Sequence, residues 1–382
     1  MMGVPPFDRL RGVSQAEPLR LAIIGVGFGA QVHLTAFLSL PGVQVVGVAD
    51  SGSGRARQVA AGVGRDVRAW DTWKEAVEGA SVDAISVATP PYVQGEIVQA
   101  ALGAGKHVLC EKPFGMSGKE AALMWEQVQV ARLVGAVDFE FRMEPGICAL
   151  KQLVESGEVG GVQRIGVKWL TPGGADPSVR WSWRHDAELG GGVLNGFVSH
   201  VFDYVEWICE RRIHRVSARC ETIVRDRTDA EGRTRKVTAE DHCKLVCDLA
   251  GGVVAQMSVS NCASSELGHR IEVDGERGRL TYVHEPPFTP EKARLRIEIN
   301  SRGSRTVPLE PLLPVVGYLD TRIPPFRVLA ERFVQAASGL TVRDLPGFAC
   351  GLRVQRILDA ARESSRLGKT IPVVEETKAA CQ

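Results

Sequence analysis

A glycine turn set between two periodic segments leaves this chain few folds to choose from. The apolar run Leu19 to Gly25 opens into Gly25-Val26-Gly27-Phe28-Gly29-Ala30, after which Val32, Leu34, Phe37 and Leu38 recur at helical spacing until Pro41-Gly42. A strand that passes through such a turn straight into a helix returns to its sheet by a crossover, so the next strand runs parallel to the first. Val43 to Asp50, rich in valine, is that strand. The turn fits G-x-G-x-x-A: Gly25 permits the tight bend, Gly27 lets a pyrophosphate approach the backbone, and Ala30 allows close helix contact, with Phe28 and Gly29 completing the loop. Free N–H groups at the start of the helix favour phosphate charge.

The alternation continues to about residue 140. A short strand is expected near Val67, Thr72 with Glu75 forms a capping box, and Ala84 to Thr89 is the next strand. Val93, Ile97, Val98 and Ala101 mark a helix that stops at Gly103-Ala104-Gly105. His107 to Cys110, a helix capped by Ser117 and Glu120, and Gly135 to Phe139 complete the series. Strands and helices in this order specify a parallel sheet covered on both faces. Beyond it the pattern changes to a helix (Pro145 to Ser156), a strand (Arg164 to Leu170), a Gly-, Pro- and Trp-rich loop (171–192) and an apolar helix from Val193 to Cys209. Asp241 to Leu249 and Val253 to Asn261 flank Ala250-Gly251-Gly252, a hairpin signal, and Arg270 to Val273 precedes an Asp274-Gly275 turn. Asp344, Leu345 and Pro346 read as the start of a last helix that ends at Gly368. The expected architecture is α/β: a Rossmann-type dinucleotide-binding domain at 18–139, and an α+β domain at 140–382 with a large open, mainly antiparallel sheet.

Asp50 closes the second strand 20 residues after Ala30. A carboxylate there accepts the ribose hydroxyls of an adenosine and repels a 2′-phosphate, so NAD is favoured over NADP. Arg55 is either the residue that would accommodate the extra phosphate or a solvated first-turn residue of the following helix. Two further strands end in Thr89-Pro90-Pro91, with Gln94 shortly after, and in Cys110-Glu111-Lys112-Pro113. Ligands of an open parallel sheet bind at the carboxyl ends of its strands, so both segments border the same crevice as the glycine turn. From spacing alone Lys112 faces solvent or offers its ammonium to a substrate oxygen.

Charge and composition narrow the partners. Lys and Arg total 46 against 45 Asp and Glu, a net charge of +1, so no broad field draws nucleic acid or an acidic membrane. No apolar run approaches the roughly 18 residues of a membrane span, and the N-terminal segment lacks an apolar signal core; a cytoplasmic protein is expected. Nine cysteines scattered singly do not suggest a disulfide framework. Cys243 and Cys247 alternate with Leu245 and Leu249, as the buried face of a strand would. No His-x-His or His-Glu-x-x-His spacing supports a metal site.

Gly25 to Ala30, Thr89-Pro90-Pro91, the run Ala104 to Pro113, and Gly190-Gly191-Gly192 followed by Ser199-His200 together resemble the Gfo/Idh/MocA oxidoreductases, over about Leu19 to Val374. The resemblance implies NAD(P)-dependent oxidation or reduction at a carbinol carbon, most often of a sugar, cyclitol or derivative. It also implies a second domain whose open sheet commonly forms the interface of a homodimer or homotetramer. By the same likeness Lys112 polarises the reacting oxygen and His200 moves the proton. The cofactor set comprises Gly25, Gly27, Phe28, Gly29, Ala30, Asp50, Thr89, Pro90, Gln94, Glu111 and Lys112. Two positions depart from the family pattern: Gly196, with Asn195 beside it, stands where an aspartate is usual, and Gln94 stands where many relatives carry histidine. Positions 196, 200 and 203 share a helix face, so Asp203 either orients His200 from the other side or serves as a packing charge.

For the substrate, Trp183 and Arg184 offer an aromatic face and a guanidinium beside the triple glycine; the alternative is that Trp181 and Trp183 pack the loop. Glu140, Arg142, Asn195 and Asp203 complete the candidate substrate set. The leading function is hydride transfer between nicotinamide and a carbinol carbon. The alternatives are glycoside cleavage with recycled NAD and a non-catalytic dinucleotide-binding sensor, against which the retained Lys112 and His200 argue.

Overall fold

Leu21, Ala22, Ile23 and Ile24 are all buried, as a strand covered on both faces of a parallel sheet requires. They belong to β1 (Leu19–Ile24) in a computed structural model that describes residues 17–63, 66–300, 302–315 and 317–374. With β2 (Val43–Ala49), β3 (Arg68–Trp70), β4 (Ala84–Val87), β5 (His107–Cys110) and β6 (Gly135–Val137), it forms a six-stranded sheet in the order β3-β2-β1-β4-β5-β6. Every pair in it is parallel. The order reverses between β1 and β4, and a crevice opens where their carboxyl ends diverge.

The connections are α1 (Leu34–Leu38), which continues a wide π-type turn at Gly29–His33, then α2 (Arg55–Val63), α3 (Trp73–Glu78), α4 (Pro91–Gly103) and α5 (Gly118–Ala131). The side chains of Thr72 and Ser117 accept from the Glu75 and Glu120 backbone N–H at 3.4 and 3.3 Å, starting α3 and α5 where the capping residues stand.

The second region begins with α6 (Pro145–Glu155) and β7 (Val162–Leu170). A second π-type turn, Leu194–Val198, leads into α7 (Ser199–Cys209) and β8 (Ile213–Glu221). A small hairpin, β9 (Asp226–Thr228) and β10 (Thr234–Lys236), is followed by β11 (His242–Leu249), β12 (Val254–Ser260), β13 (Gly268–Gly275), β14 (Gly278–His284), β15 (Ala293–Ile299) and β16 (Gly303–Val307). The chain then forms α8 (Ile323–Ala337), α9 (Phe348–Leu367) and β17 (Ile371–Pro372). Nine strands make one sheet in the order β16-β15-β14-β13-β7-β12-β11-β8-β17. Its pairs are antiparallel except β7 with β12. Cys243, Leu245, Cys247 and Leu249 are buried on one face of β11, the strand reading rather than a ligand pair. Cys243 and Cys247 are free thiols.

Two elements differ from the sequence reading. The last helix starts at Phe348 rather than at Asp344. The Pro346 carbonyl accepts from the Val137 N–H at 2.8 Å and Gly347 bridges Ala136, so this stretch lies extended against β6 before the helix begins. Helix α8, which the sequence reading did not place, buries Phe326, Leu329 and Phe333 with Leu21, Ile23 and Phe37, and so covers one face of the first sheet. Among the described residues no helix is long and apolar enough to cross a membrane. Residues 1–16, which hold the segment read as lacking a signal core, and Cys381 lie outside the described residues.

Candidate active site

Gly25 has φ +109° and a Cβ there would collide with the Ala88 carbonyl, so only glycine turns the chain out of β1 against the end of β4. Gly27 faces open space, with nothing within 4 Å of a Cβ. The turn is one wall of a cleft of about 1270 Å³, to which Phe28, Asp50, Thr89, Pro90, Glu111 and Lys112 also contribute. Gly29 is buried against Ala88 and Ile23, and Ala30 packs on the same core; both shape the turn from behind.

At the far end, the Asp50 carboxylate accepts from the Gly52 N–H at 2.9 Å, the Ser53 hydroxyl at 2.5 Å and the Ala56 N–H at 3.1 Å. Burial alone would raise its pKa, but these hydrogen bonds hold it below the usual carboxylate range. It is therefore ionised, and two carboxylate oxygens keep acceptor capacity for a ribose. Arg55 is an exposed first-turn residue of α2 at the edge of the cleft; its guanidinium donates to the Val26 carbonyl at 2.9 Å and ties α2 to the glycine turn. Gln94 is a correction. It is fully buried, donates to the Thr89 carbonyl at 3.2 Å and accepts from the Gly115 N–H at 3.0 Å. It braces the Thr-Pro-Pro loop from beneath, because its place in the first turn of α4 aims it inward.

Lys112 lies at the opposite rim, followed by a cis bond to Pro113. Its ammonium donates to the Gly196 carbonyl at 2.9 Å, joining the end of β5 to the turn before α7. Beneath it is a carboxyl cluster that sequence spacing did not reveal. His33 meets Ser86 Oγ at 2.7 Å and Glu111 at 3.0 Å, with Asp138 at 3.5 Å. Burial works to raise the pKa of Glu111, but the hydrogen bond and charge of His33, the charge of Lys112 and a hydrogen bond with Asp138 together lower the value. Burial, then the charges of Glu140 and Glu111, push the pKa of Asp138 well above the usual carboxylate value.

His200 is 2% exposed and lines the same cleft. Burial, then Lys112 and His269, depress its pKa well below the usual value, so the imidazole is neutral. Its Nδ1 is 3.7 Å from Glu140 Oε2. Burial, then Glu111, raise Glu140 to about 8.

The remaining candidates divide. Trp183 and Arg184 line the cleft, the guanidinium 4.8 Å above the indole; Trp181 packs instead, donating to the Lys236 carbonyl at 3.1 Å. Asn195 lines the cleft but spends its side chain holding the triple glycine, donating to the Gly190 carbonyl at 2.9 Å and accepting from Arg362. A Cβ on Gly192 would collide with Glu240, which accepts from the Leu194 N–H at 2.9 Å. Arg142 and Asp203 are corrections: they pair with each other at 2.6 and 2.7 Å, both buried, away from the cleft. Asp203 thus does not orient His200, because the nearer guanidinium takes both its oxygens. Arg322, from the loop before α8, reaches the cleft and lies 4.9 Å above the Phe28 ring. No motif marked it.

A doubly wound sheet with an open glycine cradle, an ionised strand-end aspartate and a lysine facing a neutral histidine defines a dinucleotide-dependent oxidoreductase. Residues 19–139 match the oxidoreductase family with an NAD-binding Rossmann fold, and residues 147–281 match the GFO/IDH/MocA C-terminal domain. The chain belongs to the Gfo/Idh/MocA oxidoreductases. It is 28% identical to levoglucosan dehydrogenase of Pseudarthrobacter phenanthrenivorans over 91% of this chain and 96% of that one. It is 26% identical to glucose-6-phosphate 3-dehydrogenase of Bacillus subtilis, over 89% and 94% respectively. The crystal structure of an oxidoreductase domain protein from Kribbella flavida superposes with a TM-score of 0.84 at 28% identity, covering 94% of this chain and all of that one. The residues present fit NAD: Gly27 leaves room for the pyrophosphate, and Asp50 is charged where the ribose hydroxyls belong.

Proposed function

We propose that this chain is an NAD-dependent dehydrogenase or reductase acting on a carbinol carbon of a sugar, cyclitol or sugar derivative. The observation that carries it is Lys112 and His200 lining one cleft with Gly27 and Asp50. NAD, when bound, supplies the hydride acceptor. The Lys112 ammonium donates to the hydroxyl oxygen and stabilises the charge that develops there, while neutral His200 takes the proton. Trp183 and Arg184 offer a flat face and a cation to a polyol, and the levoglucosan and glucose 6-phosphate relatives support that substrate class. Residues 18–139 would carry the dinucleotide and 140–382 the substrate and assembly. Steady-state NADH formation with a panel of sugars and cyclitols tests this reading. Absence of NADH formation across the panel, with NAD retained and an aryl glycoside cleaved, would replace it with the recycling mechanism. NAD binding without any Lys112-dependent turnover would leave a sensor.

Cofactor choice follows from Asp50. NADH is expected to bind more tightly than NADPH in fluorescence titrations, and Asp50→Ala to flatten or reverse the preference. A hydrogen bond to a charged group is worth about 1.5–3 kcal/mol, or about ten- to a hundredfold in affinity. Tighter NADPH binding by the unaltered protein sinks the argument.

The chain is further proposed to assemble as a homodimer or homotetramer through the large sheet. Alternation along β7, β11 and β15 leaves Lys168, Lys244, Val246, Arg296 and Glu298 exposed opposite the buried face. Light scattering should return two or four times the 41.3 kDa chain mass; a monomeric mass at micromolar concentration rejects assembly.

A further inference from the structure

The dehydrogenase reading leaves one part of the proton's path unassigned. Glu140 opens the short helical turn Glu140–Met143 just beyond β6. Its Oε2 is buried without a hydrogen-bond partner, and so is Nδ1 of His200. The two atoms face each other at 3.7 Å, beside the rings of Phe139 and Phe141. An unsatisfied buried polar atom costs about 1–3 kcal/mol, so two of them opposed in one site call for a reason. The helix that carries His200 brings no acid of its own to the ring. Gly196 has no side chain one turn before it, and Asp203 is taken by Arg142.

We propose that Glu140 is the positioning carboxylate of His200 and the final acceptor of the substrate's hydroxyl proton. The proposal rests on the dehydrogenase reading above. With Nδ1 turned to Glu140, Nε2 is left for the substrate. In the oxidation direction the substrate O–H bond breaks as Nε2–H forms, and Nδ1–H breaks as Oε2–H forms. The imidazole is neutral before and after with its tautomer exchanged, and the carboxylate becomes a carboxylic acid. The electron pair of the C–H bond leaves as the hydride of the redox reaction; reduction runs the same path backwards. A 3.7 Å gap is of the kind that closes when substrate completes the site.

The electrostatics agree with this route. Glu140 is faced by Glu111 and Lys112 from the end of β5, Asp138 from its own strand end, His200 from α7 and Arg322 from the loop before α8. Its carboxyl titrates at about 8 because burial and Glu111 outweigh Lys112, so it exchanges a proton near neutrality. His200, buried and near Lys112 and His269, resists becoming a cation. A relay that passes the proton on to a carboxylate avoids the imidazolium.

The test compares Glu140→Gln with the unaltered protein by kcat and KM against pH, NADH binding by fluorescence, and ¹⁵N NMR of the His200 ring. In the unaltered protein kcat for oxidation should rise with pH through a midpoint near 8, as the carboxylate forms. Glu140→Gln should bind NADH normally, lose at least about tenfold in kcat and lose that midpoint. Its ¹⁵N shifts should move toward the Nε2–H tautomer, because the glutamine amide donates to Nδ1. Gly196→Asp added to Glu140→Gln should restore part of kcat: a Cβ at 196 meets nothing within 4 Å, and the new carboxylate lies one turn from His200. A kcat loss with unchanged midpoint and unchanged ¹⁵N shifts shows a merely structural role and overturns the proposal, as does unchanged kcat. The NMR arm needs no substrate, so failure of the pair is read separately from failure of the dehydrogenase assignment.

Discussion

Lys112→Met is expected to lower kcat by about 10²–10⁴-fold while NADH binding stays within a few-fold of the unaltered value. Methionine keeps most of the unbranched stem and removes only the ammonium, whose contact in the structure is the Gly196 carbonyl at 2.9 Å. That contact is between a cation and a neutral acceptor at the rim of the cleft, so its loss weakens the join between β5 and α7 without removing an element. The catalytic loss is larger because charge develops on the substrate oxygen only in the transition state, and a preorganised donor acts there selectively. A second consequence concerns the neighbours. Lys112 lowers the pKa of both Glu140 and His200, so without it the residual activity should shift its pH dependence upward. Steady-state rates, with NADH titrated by fluorescence, provide the check. Unaltered turnover would remove Lys112 from the chemistry.

Arg142→Ala should act on stability, by about 3–5 kcal/mol, because it leaves a buried charge without its partner. Asp203 is 3% exposed and both its oxygens are held by Arg142. Burial raises the Asp203 pKa and Arg142 opposes the rise; deleting the guanidinium removes that opposition. The sign follows. Above the unfolded carboxylate pKa of about 3.9 the variant must either bury a charge or take up a proton that the unfolded chain does not hold. The penalty is therefore largest near neutrality and fades as pH falls. Urea unfolding at pH 7 and pH 4 measures it. Replacing both partners, Arg142→Met with Asp203→Leu, should recover most of the stability, since apolar side chains substitute for buried ion pairs at little net cost. In the folded fraction KM should stay the same. A raised KM with unchanged stability would place Arg142 in the substrate site after all.

The two experiments separate residues that the sequence placed in one site, Lys112 as a catalytic candidate and Arg142 with Asp203 as substrate candidates. The Glu-Lys-Pro segment was legible as a border of the crevice because it ends a parallel strand, while the role of Lys112 came from the family resemblance, since spacing alone left it facing solvent or substrate. Arg142 and Asp203 were not: each sits near the site in the chain, and only the packing of the turn after β6 on α7 brings them together, 61 residues apart. Gln94 misled for a related reason. Its position on α4 is one turn from the Thr-Pro-Pro loop, but the direction of its side chain depends on the Gly115 N–H below it. Glu140 stood among the substrate candidates, and its nearness to His200 is a distance between two elements that no spacing encodes.

Local rules determined much of this protein from the sequence. The positive φ at Gly25, the capping pairs Thr72–Glu75 and Ser117–Glu120, and the alternation of periods act within a few residues, so strand, turn and helix follow wherever those residues occur. Tertiary structure decided which distant groups share a buried space. It sent α8 back to cover the first sheet, drew Pro346 and Gly347 against β6, and set Glu140 rather than Asp203 against His200. The physical reason is burial: a polar or charged group removed from water takes whichever partner the packed elements bring within reach, and that choice is made by the whole fold rather than by neighbours in the chain.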